Sequence, residues 1–598
     1  MEGHVKKVLE QNQKVLVGIL HNKPYWHIIP DNPRIRHRVK VRDFKKSLAI
    51  KNHKVVVHLD PWKSTSAPLT GIVMEDLGPV DGPGIDMLSI LRNYQLEEDF
   101  SQAVEDEAHT FSADSIHAEI PHRKDLRDIL TFTIDPEEAK DHDDAVSLTQ
   151  TPDGHWNLGV HIADVPHFVP IGSDIDKEAY HRSTNAYLID RVIPMLPRHL
   201  TTDLCSLKPL EDRLTHSLSI TLDKKGAILH TETFLSVIRS SARLTYTHVQ
   251  SFLEGQTDQT IPKPIQKSLM QQQELAALLR KNRLESGSLE FNLPEIKCIL
   301  DTSGKVTKTH KRISSEAYQL IEEFMLIANQ AVAHLLFSKS VPALYRIHKE
   351  PDLENWLQMM LDLKAIGIFE SPKDQRHLND IVQRVVGTPR EYPVSLAILR
   401  NLTRAVYSSS LGEHFGLAFS HYTHFTSPIR RYPDLVIHRI LRSFEESTPP
   451  PYTHQDLTCM ATHCSERERH AEEAEKESVA LKLIDYYDHK LRKGDTGPFP
   501  GIITSIASKG LLVELEETLQ RGLLPFSLFT DDYYVAEPER GRAIGKRRKK
   551  VWSVGDLVSV ELVKVCTQKR LIDFRIFNES KPKKERKRRR CHHKKSSI

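Results

Sequence analysis

Apolar and polar residues alternate in short runs through the first part of the chain. Val15-Leu16-Val17-Gly18, Trp26-His27-Ile28-Ile29-Pro30 and Val55-Val56-Val57-His58-Leu59 each predict a strand, with Asp31-Asn32-Pro33 as a turn. Short strands at this spacing suit a small OB-type barrel. Tyr25, Trp26 and His27 are then either core rings or rings free to stack on flat ligands. The acidic stretch Glu97–Glu107 reads as a helical linker. Further strands are predicted at Ile129–Ile134, Ala145–Leu148, Trp156–Asp164, Tyr187–Ile189 and Val192–Pro197, and as a pair at Ser217–Leu222 and Thr233–Ile238. The period then becomes helical, over Pro264–Leu284, Ser315–Phe337, Asp352–Ile366, Pro393–Tyr407 and Tyr432–Phe444. Ser465 with Glu468 three residues on is a capping box, which predicts a helix start there and a run to about Leu491, stopped by Gly494. Alternation returns at Gly501–Thr504, Gly510–Leu515 and Gly555–Val560 and predicts a second barrel. The fold class is α+β: an antiparallel sheet with flanking helices between two OB-type barrels.

Composition narrows the setting. The 598 residues are 39% hydrophobic and 27% charged, ordinary for a water-soluble chain, and the length allows about four domains. No apolar run approaches the ~18 residues of a membrane span, and Met1–Lys7 has no apolar leader, so no membrane association is expected. Cys205, Cys298, Cys459, Cys464, Cys566 and Cys591 are scattered, which fits reduced thiols in the cytoplasm better than a disulfide framework. Cys459 and Cys464, with His454 and His463 nearby, lack the spacing of a zinc site. The formal charge of +3 conceals a polar distribution of charge: residues 581–598 carry ten Lys and Arg against one Glu, so the remainder is net negative. Such an arm suits nucleic-acid phosphates, the alternative being a solubility tail. Lys546–Lys550 adds five consecutive cations within the second barrel region.

The chemistry concentrates between two predicted strands, in T-F-T-I-D-P-E-E-A-K-D-H-D-D-A, Thr131 to Ala145. Asp135, Asp141, Asp143 and Asp144 fall within ten residues. An Asp-rich loop is often a solvated turn. Clamped between buried strands, however, these carboxylates repel one another unless a divalent cation intervenes, and hard oxygen donors select Mg²⁺, with Mn²⁺ able to substitute. The loop lacks the glycine and the terminal glutamate of a calcium hand.

This stretch, including the spacing of all four aspartates, resembles the signature of the RNB family of exoribonucleases. A second stretch, H-Y-T-H-F-T-S-P-I-R-R-Y-P-D-L-V-I-H-R from His421 to Arg439, resembles the family's downstream signature. The likeness extends over residues 1–577, and the basic tail places it nearer the ribonuclease R branch. The resemblance implies a cold-shock-type barrel over 1–120, a catalytic domain over 121–450, a helical extension over 451–494, a ribosomal S-one-type barrel over 495–577 and a basic tail over 578–598. It also implies a further cold-shock domain upstream, for which this chain leaves no room.

In function, the resemblance implies a processive, metal-dependent 3′→5′ exoribonuclease that releases nucleoside 5′-monophosphates. It would be a cytoplasmic monomer acting on single-stranded RNA and on structured RNA with a 3′ overhang. Asp135 and Asp144 would be the firmest metal ligands, completed by Asp141 and Asp143, and Asp143 would also be catalytic. Tyr187 matches a tyrosine that packs on the terminal bases and Phe291 the aromatic opposing it. Tyr246 matches a tyrosine near the scissile phosphate, and Glu323 a glutamate contacting substrate. Arg430 is assigned to the phosphate and Arg431 to RNA contact. In the turn before a helix one arginine can face the phosphate while the other pairs with Asp434 or packs. His421, His424 and His438 are assigned structural roles. The rival readings are a non-catalytic RNA-binding protein built on the same modules and a DNA exonuclease.

Overall fold

The computed structural model describes residues 14–32, 35, 37–42, 50–61, 68–256, 260–312 and 315–577. The basic tail lies outside the described residues. The first unit is a closed five-stranded barrel, with Val15–His21 between His27–Pro30 and His53–Leu59, and Val39–Val41 and Thr70–Pro79 closing the ring. Leu16, Leu20, Ile28, Val55 and Val57 fill it. Gly18 is required by close approach: a Cβ there would lie 2.4 Å from the Ile29 carbonyl oxygen. The three rings left open by the sequence now separate. His27 is buried, Trp26 packs against the barrel core, and Tyr25 is 48% exposed.

The expected acidic linker is largely something else. A helix, Ile85–Tyr94, precedes it and buries Met87, Ile90 and Leu91 against Ala186, Leu188, Ala471 and Ala474. Within the acidic stretch the helix Gln102–Ala108 starts only at its sixth residue.

The central body holds a five-stranded sheet ordered Lys124–Asp125, Ile228–Arg239, Asp212–Leu222, Trp156–Ala163, Asp144–Gln150. It is antiparallel except at its first pair. Leu158, Val160, Ile162, Leu218 and Ile220 join Phe324, Val332, Leu435 and Ile437 in the main core. Glu316–Ser338 is long and apolar enough to cross a membrane, and here its apolar stripe is packed into that core. Gln375–Val385, Asp174–Arg182 and the hairpin Glu295–Leu300/Val306–Arg312 were not foreseen from the periodicity.

Two expected boundaries are corrected. The helix expected over Pro393–Tyr407 is Glu391–Asn401; beyond it Val406–Ser408 pairs with Tyr345–Ile347 as strand, because burial of Tyr407 opposite Arg346 outweighs local helical preference. The long helix begins not at Ser465 but at His454. Its N-cap is Thr453, whose hydroxyl accepts from the Asp456 amide while the Asp456 carboxylate accepts from the Thr453 amide. Ser465 lies inside the helix, donating to the Ala461 carbonyl and accepting from the Tyr407 amide, and Glu468 is drawn to Arg346 at 2.6 Å. The helix runs 40 residues to Lys493 and ends on Gly494 at φ 81°.

A second closed barrel follows, formed by Phe499–Ala507, Gly510–Leu515, Arg521–Pro525, Leu571–Ile576 and Leu557–Cys566. A three-stranded insertion, Tyr534–Glu537, Arg542–Gly545 and Val551–Ser553, carries the exposed cations Lys546–Lys550.

Candidate active site

Asp135 ends the short strand Thr133–Asp135, which pairs in parallel with Arg243–Thr245. The loop beyond it is held by its backbone. The Arg243 guanidinium donates to the carbonyls of Pro136 and Glu137 at 2.9 and 2.7 Å. Ser206 Oγ accepts from the His142 amide and donates to the Lys140 carbonyl. The Asp143 carbonyl accepts from the Ala163 amide at 2.9 Å. Asp144 then opens the edge strand of the sheet opposite Ile162. The four aspartates are thus carried by a rigid turn between two strands.

The downstream signature is brought against this turn. Asp143 is buried; its Oδ1 accepts from the Ile429 amide at 2.9 Å and its Oδ2 lies 3.4 Å from Arg430 Nε. Arg430 and Arg431 lie on the approach to the helix Tyr432–Glu445, whose first turn contains Pro433. Arg431 is extended there, so neighbouring side chains diverge. Arg430 is 43% exposed and donates to Ser427 Oγ; Arg431 turns inward and donates to the fully buried Asp434 at 2.8 Å. Of the alternatives the sequence left open, Arg430 therefore takes the open side and Arg431 the Asp434 pair.

The electrostatics are those of an anionic cluster only partly offset by Arg430 and His142. Burial pushes the Asp143 carboxyl well above its ordinary range, against the opposing pull of Arg430. Asp144 is pushed up to about 7, by burial first and then by the charge of Asp135. Asp135 Oδ2 is buried without a hydrogen-bond partner, 2.9 Å from His142 Nδ1 but not aligned for a bond. Among the described residues no three His, Cys, Asp or Glu side chains form a closed metal cage, at the aspartates or near Cys459 and Cys464. Hard anionic donors, raised pKa values and an orphaned carboxylate oxygen nevertheless fit a divalent cation, which would supply the missing positive charge.

Two tyrosines flank the cluster. Tyr187 is 39% exposed, and its hydroxyl accepts from the Asn185 side chain, while the Asn185 backbone N–H donates to the Arg430 carbonyl. Its hydroxyl pKa is raised by burial, with Arg430, Asp141 and Asp143 as its charged neighbours. Tyr246 starts the helix Tyr246–Leu253 under a Thr245 cap. Its pKa is raised by burial and then by Asp144 and Asp135, so it stands at the other end of the cluster. Its ring stacks on Tyr318 at 3.6 Å between centroids, and the Arg312 guanidinium lies 4.2 Å from the Tyr318 centroid on the same assembly. Tyr318 and Arg312 were missed from the sequence. Tyr318 looked like any residue in the first turn of a predicted helix, and Arg312 lies on the unforeseen hairpin.

Phe291 and Glu323 stand apart from these groups. Phe291 packs against the helical cluster of Met359, Leu363 and Ile398. Glu323 is buried in a bidentate pair with Arg283, which also reaches Glu290. Among the described residues no hydrogen bond, ion pair or ring contact joins either to the aspartates or to Tyr187. The histidines serve the scaffold: His438 bonds the Phe425 carbonyl, His424 the Tyr407 hydroxyl, and His421 stacks on Phe337.

Comparison with known proteins shows the family and the fold. The RNB domain model matches residues 123–447 and the cold shock domain model residues 27–101. The chain is 38% identical to ribonuclease R of Thermotoga maritima, over 96% of this chain and 82% of that protein. It superposes on Mycoplasma genitalium RNase R in complex with ribose-methylated single-stranded RNA with TM-score 0.84 and 26% identity, covering 96% of this chain and 91% of that one. For the complex of that protein with double-stranded RNA the TM-score is 0.81 and the identity 25%, over 96% and 97%.

Proposed function

The chain belongs to the RNB family and is a 3′→5′ exoribonuclease, and from that premise we propose how its residues divide the work. Asp135, Asp141, Asp143 and Asp144 hold the divalent metal on which hydrolysis by this family depends, Mg²⁺ with Mn²⁺ as a substitute. When bound, such a cation would supply Lewis acidity, lowering the pKa of a water and offsetting charge on the leaving 3′ oxygen. Arg430, open to solvent beside Asp143, offsets the charge that builds on the scissile phosphate. Arg431 keeps that arrangement in place through Asp434, a positioning role rather than the RNA contact expected for it. Tyr187 stacks on the 3′-terminal base and sets the phosphate in line with the water. Tyr246 lines the opposite end, beside Asp135 and Asp144. Phe291, packed in the helical cluster, and Glu323, held by Arg283, support the body around the site rather than the base clamp and substrate contact expected of them.

The chain acts processively as a cytoplasmic monomer, on single strands and on duplexes with a 3′ overhang, releasing nucleoside 5′-monophosphates. Binding of single- and double-stranded RNA by the Mycoplasma relative supports the substrate range. The observation that carries the reading is the contact of Asp143 with both Ile429 and Arg430, which joins the aspartate turn to the phosphate-binding arginine. The test is degradation of 5′-labelled RNA and of DNA of the same sequence, with Mg²⁺ and with chelator. RNA alone should be shortened stepwise, and only with metal. Binding without shortening would leave a non-catalytic RNA-binding protein, and equal loss of DNA a general nuclease.

A further inference from the structure

The hairpin Glu295–Leu300/Val306–Arg312 is exposed along most of its length and is fastened at two places. Lys297 pairs with Glu138 of the aspartate turn at 2.5 Å, and Thr309 Oγ1 donates to Glu517 of the second barrel at 3.1 Å. Its last residue, Arg312, is therefore delivered to a defined place. There the guanidinium lies over Tyr318, Tyr318 stacks on Tyr246 within 15° of parallel, and Tyr246 lies in the field of Asp144 and Asp135. The result is a layered stack leading from an exposed cation to the aspartates.

Arg312 has no carboxylate within ion-pair distance among the described residues, although Glu295 faces it in the strand register. A guanidinium resting on a ring keeps its N–H edge free, and the stack restricts its rotamers beforehand. A free, pre-oriented N–H fork matches two phosphate oxygens. The position is also one where a cation is useful: an anionic strand approaching four aspartates is repelled unless positive charge meets it.

We propose that Arg312 binds a phosphate of the RNA strand beside Tyr246, with Tyr318 as the shelf that positions it. This deepens the assignment of the aspartates and Tyr246 as the active site and rests on it. The guanidinium makes no covalent step; it holds the strand so that the terminal phosphate reaches the aspartates.

The test compares Arg312→Gln, Arg312→Lys and Tyr318→Leu in the full chain on a short single-stranded RNA. Arg312→Gln should raise KM about tenfold with kcat held within about twofold, and should make the log–log salt slope of binding shallower by about 0.7, one single-strand phosphate contact. Arg312→Lys should keep the slope and recover part of the KM. Tyr318→Leu should raise KM, and should raise it by less when added to Arg312→Gln than alone, because part of its effect passes through the cation and the rest through Tyr246. Arg312 is exposed, so its variants are expected to melt as the parent does even if Tyr318→Leu is destabilised. An unchanged KM and salt slope in Arg312→Gln would overturn the proposal. Asp143→Asn measured alongside separates the two levels: if it also keeps full turnover, the active-site assignment has failed, whereas its loss of turnover with an unaltered Arg312→Gln refutes Arg312 alone.

Discussion

Asp143 accepts a hydrogen bond from the Ile429 amide at 2.9 Å across 286 residues of sequence. One carboxylate thus closes the aspartate turn onto the arginine segment with one oxygen and faces Arg430 with the other. The two signatures form a single structure, and a change in either reaches both.

For Asp143→Asn the amide oxygen can still accept from Ile429, while the charge is lost. Turnover should fall at least about 100-fold with RNA affinity little changed, since the lost effect belongs to the transition state. Single-turnover rates and binding constants on one RNA check this, and near-normal turnover would refute the role of Asp143.

The two adjacent arginines should separate by phenotype. Arg430→Ala removes a half-exposed cation whose bond to Asp143 is long, so melting should fall far less than for Arg431→Ala while kcat falls by about 100-fold or more. Arg431→Ala leaves buried Asp434 with only the Ser427 amide and no counter-charge, and should cost about 3 kcal/mol or more of stability. Thermal melting beside kcat measurements distinguishes them; equal melting losses would mean that both arginines are structural.

Tyr187→Ala tests the terminal clamp. Loss of stacking should weaken the hold on short RNA by about 1–3 kcal/mol, and the final undigested fragment should lengthen while long RNA is still degraded. A ladder ending at the same length as the parent's would place the clamp elsewhere.

Asp144 predicts a coupling of metal and protons. Its carboxyl is raised from 3.8 to about 7, so the folded metal-free protein holds the proton more tightly than the unfolded chain. That contribution to stability is complete at low pH and is lost as pH climbs from the unfolded value through the folded one. A divalent cation takes the deprotonated form, so binding releases a proton below about pH 7 and weakens as pH falls. Melting of chelated protein should decline between about pH 4 and pH 7, while the rise in Tm caused by Mg²⁺ grows over the same interval. A Mg²⁺ effect independent of pH would exclude Asp144 as a ligand.

The aspartate turn and the R-R-Y-P-D segment were legible because their chemistry is local: charge spacing, a proline in the first helical turn, apolar flanks. Their union was not, because it runs through the Ile429 backbone amide, which every residue but proline possesses. The Ser465–Glu468 pair misled for a related reason. The pattern satisfies the capping rule, but the helix was already under way from Thr453, and a serine inside a helix can return its hydroxyl to the fourth carbonyl back. Arg312 and its hairpin were hidden because alternation between an exposed and a half-exposed face carries little hydrophobic signal, and Tyr318 because its ring stands in the first turn of an ordinary amphipathic helix. Phe291 and Glu323 rested on resemblance alone, and the contacts around them, Arg283 above all, lie in helices whose sequences show only ordinary amphipathicity.

The 40-residue helix His454–Lys493 spans about 60 Å at 1.5 Å per residue. Just past its middle one carboxylate, Glu477, accepts from Tyr94 of the first unit's trailing helix and from Arg570 of the second barrel, while Ser478 accepts from the Ile189 amide and Lys482 pairs with Asp86. These attachments point in fixed directions around one axis. The helix is therefore a phased ruler: substitutions on its exposed face leave the phase alone, but a single inserted residue before Glu477 would turn every later attachment by roughly 100°. Its length is consequently constrained more strictly than its composition, and insertions tolerated in the surface loops should be refused here.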